Sequence, residues 1–135
     1  MITNPDQLRK ILETINTIAV VGASDDPQKP AHTIPAYLAS VSYKVIPVNP
    51  NRSKVLGRKS YPKLTDIPES VDVVDVFRPS EETPMIAEQA VEIGAKVLWL
   101  QQGISNPEAA RIATAGGLKV VMDLCMGTTH RFLIA

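Results

Sequence analysis

A chain of 135 residues, 44% apolar and 21% charged, suits one globular domain with a core of its own. Fourteen Lys and Arg balance fourteen Asp and Glu, which excludes the domain-wide positive field of a nucleic-acid binder. One Cys and two His exclude an internal disulfide and a Cys-rich zinc site, no apolar run reaches bilayer length, and the polar start MITNPDQLRK has no secretory apolar segment. A cytoplasmic protein with neither nucleic-acid nor membrane partner is expected.

Asn4 followed by Pro5 predicts a capped first helix, with Leu8, Ile11, Leu12 and Ile15 forming its apolar stripe. Ile18 to Val21, closed by Gly22, reads as a buried strand. A helix is expected over 31–41, beginning late because Pro35 is tolerated only in a first turn. Lys44 to Val48 reads as a second strand, ended by Asn49-Pro50. Val71 to Phe77 reads as a third, with Asp72 and Asp75 implying a wet edge or end. Ser80 or Thr83 is expected to cap the next helix, with Ile86, Ala87, Ala90 and Val91 facing inward and Gly94 at its left-handed C-cap. Ala95 to Leu100 is a fourth strand. Ser105 with Glu108 matches a capping box for a helix ended by Gly116-Gly117, Leu118 to Met122 is a fifth strand, and residues 123–135 are expected to hold a short last helix.

Strands alternating with helices predict an α/β fold, a single Rossmann-type domain over residues 1–135. It would hold a five-stranded parallel sheet of order 3-2-1-4-5, with helices on both faces. The strand order then reverses between strands one and four, and a crevice opens at their carboxyl ends. Four loops border it.

The first loop runs from Gly22 to Pro30, GASDDPQKP. Gly22 permits close backbone approach, Ser24 offers a hydroxyl, and the amides near the next helix can meet an anion. Neither the G-x-G-x-x-G fingerprint nor a Walker A motif is present, and a plain strand-to-helix turn reads equally well. In the second loop, Asn49 stands where an NAD site carries an acid. Pro50, Arg52 and Lys54 follow, with Arg58 and Lys59 beyond. Cations there suit a ribose that bears a phosphate, as in NADP or coenzyme A, or simply face water. Phe77, Arg78 and Pro79 make the third loop. Gln101, Gln102 and Gly103 bring uncharged hydrogen-bonding groups in the fourth. No paired carboxylates or nucleophile–base arrangement is evident, Cys125 and His130 receive no role, and a metal site is not expected.

The motifs Val20-Val21-Gly22-Ala23-Ser24, Val45-Ile46-Pro47-Val48-Asn49-Pro50, Val71 to Pro79 and Gly94 to Gly103 occur in the order seen in the small stand-alone CoA-binding proteins. The chain resembles that family, which in turn is similar to the N-terminal CoA-binding domain of the succinyl-CoA synthetase α subunit. The resemblance implies that coenzyme A, free or acylated, binds at the strand ends. Gly22, Ala23 and Ser24 would meet its phosphates. Asn49, Pro50, Arg52 and Lys54 would flank the adenosine 3′-phosphate. Phe77, Arg78 and Pro79 would border the nucleotide, and Gln101 and Gly103 the pantetheine arm. The first loop has fewer glycines than that of the synthetase, and these residues hold no counterpart of its phosphohistidine domain. Binding without catalysis is therefore the expectation, with a homodimer or a ligase-type partner chain as the protein partner. The alternatives are an NADP-binding reductase, a CoA-ligase fragment acting with a partner chain, and a sensor domain with a vestigial crevice.

Overall fold

The computed structural model describes residues 1–134. Helix α1 (Pro5–Thr14) starts as expected: the Asn4 side-chain oxygen accepts from the backbone N–H groups of Asp6 (2.8 Å) and Gln7 (3.3 Å). Strand β1 (Thr17–Val21) leads to α2 (Pro30–Ser40), and β2 (Lys44–Val48) to a small antiparallel hairpin of β3 (Lys54–Val55) and β4 (Arg58–Lys59). A 3₁₀ turn at Leu64–Asp66 precedes β5 (Val73–Val76). Then follow α3 (Thr83–Glu92), β6 (Val97–Leu100), α4 (Pro107–Ala115), β7 (Lys119–Val121) and α5 (Met126–Leu133). Ala135, the last residue of the expected final helix segment, lies outside the described residues.

Five parallel strands form one sheet of order β2-β1-β5-β6-β7. Helices α3 and α4 cover one face and α1, α2 and α5 the other, each over its own apolar cluster. The expected order 3-2-1-4-5 is wrong in one respect. The third expected strand, β5, sits inside the sheet between β1 and β6, not outside β2. All four residues of β5 are buried, and pairing with β1 on one side and β6 on the other satisfies the backbone groups that this burial removes from water. The outer edge of β2 is instead covered by Tyr61, which makes a one-residue parallel bridge to Val48. The Tyr61 N–H donates to the Pro47 carbonyl (3.1 Å), and the Asn49 N–H to that of Tyr61 (2.9 Å). The order therefore reverses between β1 and β5, and the crevice opens there.

Three local expectations also change. Helix α2 does not begin late; Pro35 lies inside it. Pro35 lacks the N–H that would reach the Ala31 carbonyl, and the Ser24 N–H takes that acceptor instead at 3.1 Å. The proline thus frees the carbonyl that ties the first loop to its helix. The cap of α4 is Asn106, accepting from the Ala109 N–H at 3.0 Å, with Pro107 behind it; Ser105 and Glu108 form no capping box, and Glu108 pairs with Arg111. Before α3, Ser80 opens a 3₁₀ turn and accepts from the Ser105 N–H (3.2 Å). Thr83 donates to the Ser80 carbonyl (2.6 Å), and neither side chain caps the helix.

Of the two strand acids, Asp72 is at a wet end, as expected, holding the backbone N–H groups of Asn16 (2.8 Å) and Thr17 (3.0 Å) and pairing with Lys96 (3.1 Å). Asp75 is not wet. It is fully buried in mid-sheet between Val20 and Trp99. Its Oδ1 accepts from the Gln101 side-chain amide, whose own oxygen accepts from the Met126 N–H at 3.3 Å. Asp75 Oδ2 has no partner among the described residues. Burial pushes this carboxyl up to about 7, against the opposing pull of the Gln101 and Val76 hydrogen bonds.

Candidate ligand cleft

The loops after β1, β2, β5 and β6 meet at the carboxyl ends of the strands. Gly22, at φ +87°, is the pivot. A Cβ there would stand 2.9 Å from both the Phe77 carbonyl oxygen and Arg78 Cδ, so only glycine lets the first and third loops touch. The Gly22 N–H is held by the Val48 carbonyl at 2.9 Å, which ties in the second.

Two cavities flank this ridge. One of about 310 Å³ lies toward β2 and α3. Val21, Val48, Pro50, Pro62, Met85 and Ile86 give it apolar walls, and Asn49, Asn51, Lys63, Arg78, Glu82 and Gln89 its polar groups. The other, about 430 Å³, lies toward α2 and α5. It is lined by Pro30, Ala31, Ile34, Phe77 and Ile104, with Lys29, Gln101, Gln102 and Cys125. The pair of cavities can take a two-ended ligand with a flat heterocycle at one end and an apolar arm at the other.

The polar groups between them divide into engaged and open. Ser24 is stitched into the first loop: its N–H binds the Ala31 carbonyl, and its hydroxyl oxygen accepts from the Asp26 N–H (3.0 Å). Its carbonyl faces His32 Nδ1 at 2.7 Å; a carbonyl only accepts, so Nδ1 carries the proton. Among the described residues, the N–H groups of Asp25 and Ala31, neither of them buried, have no protein acceptor. With the Ser24 O–H they are the donors that the first loop can offer an anion at the start of α2.

Asn49 is engaged as well. Its amide donates to the Ala23 carbonyl (2.9 Å) and its oxygen accepts from the Asn51 N–H (2.8 Å). The residue at the ribose-reading position thus joins two loops of the cleft. Asn49→Ala is expected to lower stability by about 1–2 kcal/mol, measured by urea unfolding; an unchanged midpoint would show that other contacts hold the loops.

The expected site residues are only partly brought together. Gly22, Asn49, Pro50 and Arg78 line the smaller cavity, and Phe77 and Gln101 the larger. Gln101 is buried, with both ends of its amide bound to Asp75 and Met126. Ala23 is buried between the two, Pro79 stands exposed beside Arg78, and the Gly103 N–H is taken by Asp123 at 2.6 Å. Arg52 and Lys54 line neither cavity: Arg52 faces Asp25 at 3.9 Å, and Lys54 lies on β3 opposite Lys59. Arg78 is held by Glu82 in a two-pronged contact (3.1 and 2.8 Å), which raises its basicity further. Lys63, Asn51 and the α3 residues Met85, Ile86 and Gln89 escaped sequence reasoning. Asn51 lies within the second loop but carried no signal of its own; the others come from segments with no motif, carried to the cleft by the Tyr61 bridge and by the packing of α3.

Residues 16–131 match the family model described as CoA binding domain. The chain is 40% identical over 124 residues to the uncharacterized protein YneT of Bacillus subtilis, covering 92% of each. It superimposes on a hypothetical protein from Pyrococcus horikoshii with a TM-score of 0.96 at 41% identity, covering 98% of this chain and 94% of that one. It also matches part of an acetyl-coenzyme A synthetase of Ca. Korarchaeum cryptofilum, with a TM-score of 0.71 at 30% identity; 84% of this chain corresponds to 28% of that protein.

Proposed function

Because the chain belongs to the CoA binding domain family, we propose that it binds coenzyme A along the carboxyl ends of its parallel strands and performs no chemistry on it alone. One observation carries the reading: two cavities of different character flank Gly22, with open backbone donors between them. The adenosine takes the smaller cavity, its base against Pro50, Pro62 and Ile86. The diphosphate lies over Ala23, Ser24 and the Ala31 N–H, and the pantetheine arm runs past Phe77, Gln101 and Gly103 into the larger cavity. Carboxylates at the rim are paired, Glu82 with Arg78 and Asp25 with Arg52, and so serve positioning. The engaged Asn49 side chain supports coenzyme A over a dinucleotide gripped by its ribose diol.

Titration calorimetry and thermal unfolding test this. Coenzyme A at a hundred times its Kd is expected to add about 2.7 kcal/mol to the unfolding free energy. Saturable NADPH binding with no response to coenzyme A would overturn the reading in favour of a reductase. The match to part of a synthetase favours a second reading, in which the chain hands its ligand to a ligase-type partner chain. Copurification of an acyl-CoA ligase subunit would support it.

A further inference from the structure

We propose that Lys63, rather than the Arg52–Lys54 stretch, is the cation that reads the phosphate on the adenosine ribose, and that it sets the preference for coenzyme A over its dephosphorylated form. This rests on the coenzyme A reading above and deepens it.

Two cations line the adenosine-side cavity, Lys63 and Arg78. Arg78 is already clamped by both oxygens of Glu82, so its positive charge is largely answered within the protein. Lys63 has no carboxylate within 4 Å among the described residues. An unpaired ammonium beside a cavity is the group that a phosphomonoester gains most from meeting, because no existing ion pair has to break.

Position supports the same choice. Two anchors hold Lys63 against the cleft. On one side Tyr61 is bonded into the edge of β2 through Pro47 and Asn49; on the other Leu64 is buried in the core. The backbone of Lys63 is therefore placed beside the end of β2, where the ribose of a nucleotide on this fold lies. Arg52 and Lys54 come earlier in the same connection but line neither cavity. Arg52 faces the Asp25 carboxylate, and the hairpin sets the exposed Lys54 across from Lys59.

Affinities for coenzyme A and dephospho-coenzyme A, measured by calorimetry at two salt concentrations, test the assignment. The wild type is expected to prefer coenzyme A about tenfold. Lys63→Ala should lose that preference while binding dephospho-coenzyme A as before, and Lys63→Arg should restore most of it. The double variant Arg52→Ala/Lys54→Ala should keep it. A preference that survives Lys63→Ala, or one that vanishes in the double variant alone, overturns the proposal. Equal wild-type affinity for both ligands overturns it while leaving the coenzyme A reading intact. A wild type that binds neither ligand removes both.

Discussion

Asp75→Asn is expected to make the protein more stable at pH 8 and to flatten the pH dependence of its unfolding. Burial lifts the Asp75 carboxyl from 3.8 to about 7, so between those values the folded chain keeps a proton that the unfolded chain has lost. Stability from this group is complete below about pH 4, falls as the pH rises through the window, and levels off above about 7. At ~1.4 kcal/mol for each unit of pH, the wild type loses up to about 4 kcal/mol across it. An Asn at this position still accepts from the Gln101 amide and cannot ionise. Urea unfolding of both proteins from pH 4 to 8 checks this, and parallel stability curves would mean that Asp75 ionises without cost. Since Gln101 links Asp75 to the first N–H of α5, the same series reports whether ionisation loosens that helix against the larger cavity.

Gly22→Ala is expected to cost about 3 kcal/mol and to abolish coenzyme A binding. The left-handed backbone at Gly22 penalises a side chain by about 1–2 kcal/mol, and a methyl group 2.9 Å from the Phe77 carbonyl oxygen adds an overpacking cost of about 1–3 kcal/mol. Relief requires the first and third loops to separate, which spoils the ridge between the cavities. Gly57→Ala is the control. Gly57 also has a positive φ, +69°, but a Cβ there meets nothing within 4 Å, so only the backbone cost of about 1 kcal/mol remains. Equal destabilisation by the two substitutions would show that the contact with Phe77 and Arg78 does not matter. A Gly22→Ala protein that still bound coenzyme A would detach the ridge from ligand binding.

Particular residues show where sequence reasoning reached and where it stopped. Asn4-Pro5 is a self-contained signal: cap, acceptor and proline act within one turn, and the structure has that cap. Gly22 and the four loops were legible because strand ends in a parallel sheet converge whatever else the chain does. Pro35 misled, since the donor that replaces its missing N–H is the Ser24 N–H, seven residues before the Ala31 carbonyl it serves. Ser105 and Glu108 had the capping-box spacing, yet Asn106-Pro107 one residue on is the stronger helix start. Asp72 and Asp75 together implied a wet edge or end, which holds for Asp72 alone. The Gln101 side chain, 26 positions away and brought alongside by the sheet, gives Asp75 a buried partner.

The alternation of apolar runs and helical stripes, with glycine at one strand end, was enough by itself to set the fold class, the parallel sheet and the end of it that faces a ligand. Those features follow from local periodicity and from the handedness of strand–helix–strand units, which any stretch of the chain carries within itself. Strand order, the burial of Asp75 and the place of Lys63 at the cleft were decided only in three dimensions. Each depends on which distant segment fills a vacant edge or wall: Tyr61 against β2, Gln101 over Asp75, Lys63 beside Asn49. Pairings of that kind are selected by burial and hydrogen bonding across the whole domain, which the local period of apolar residues does not record.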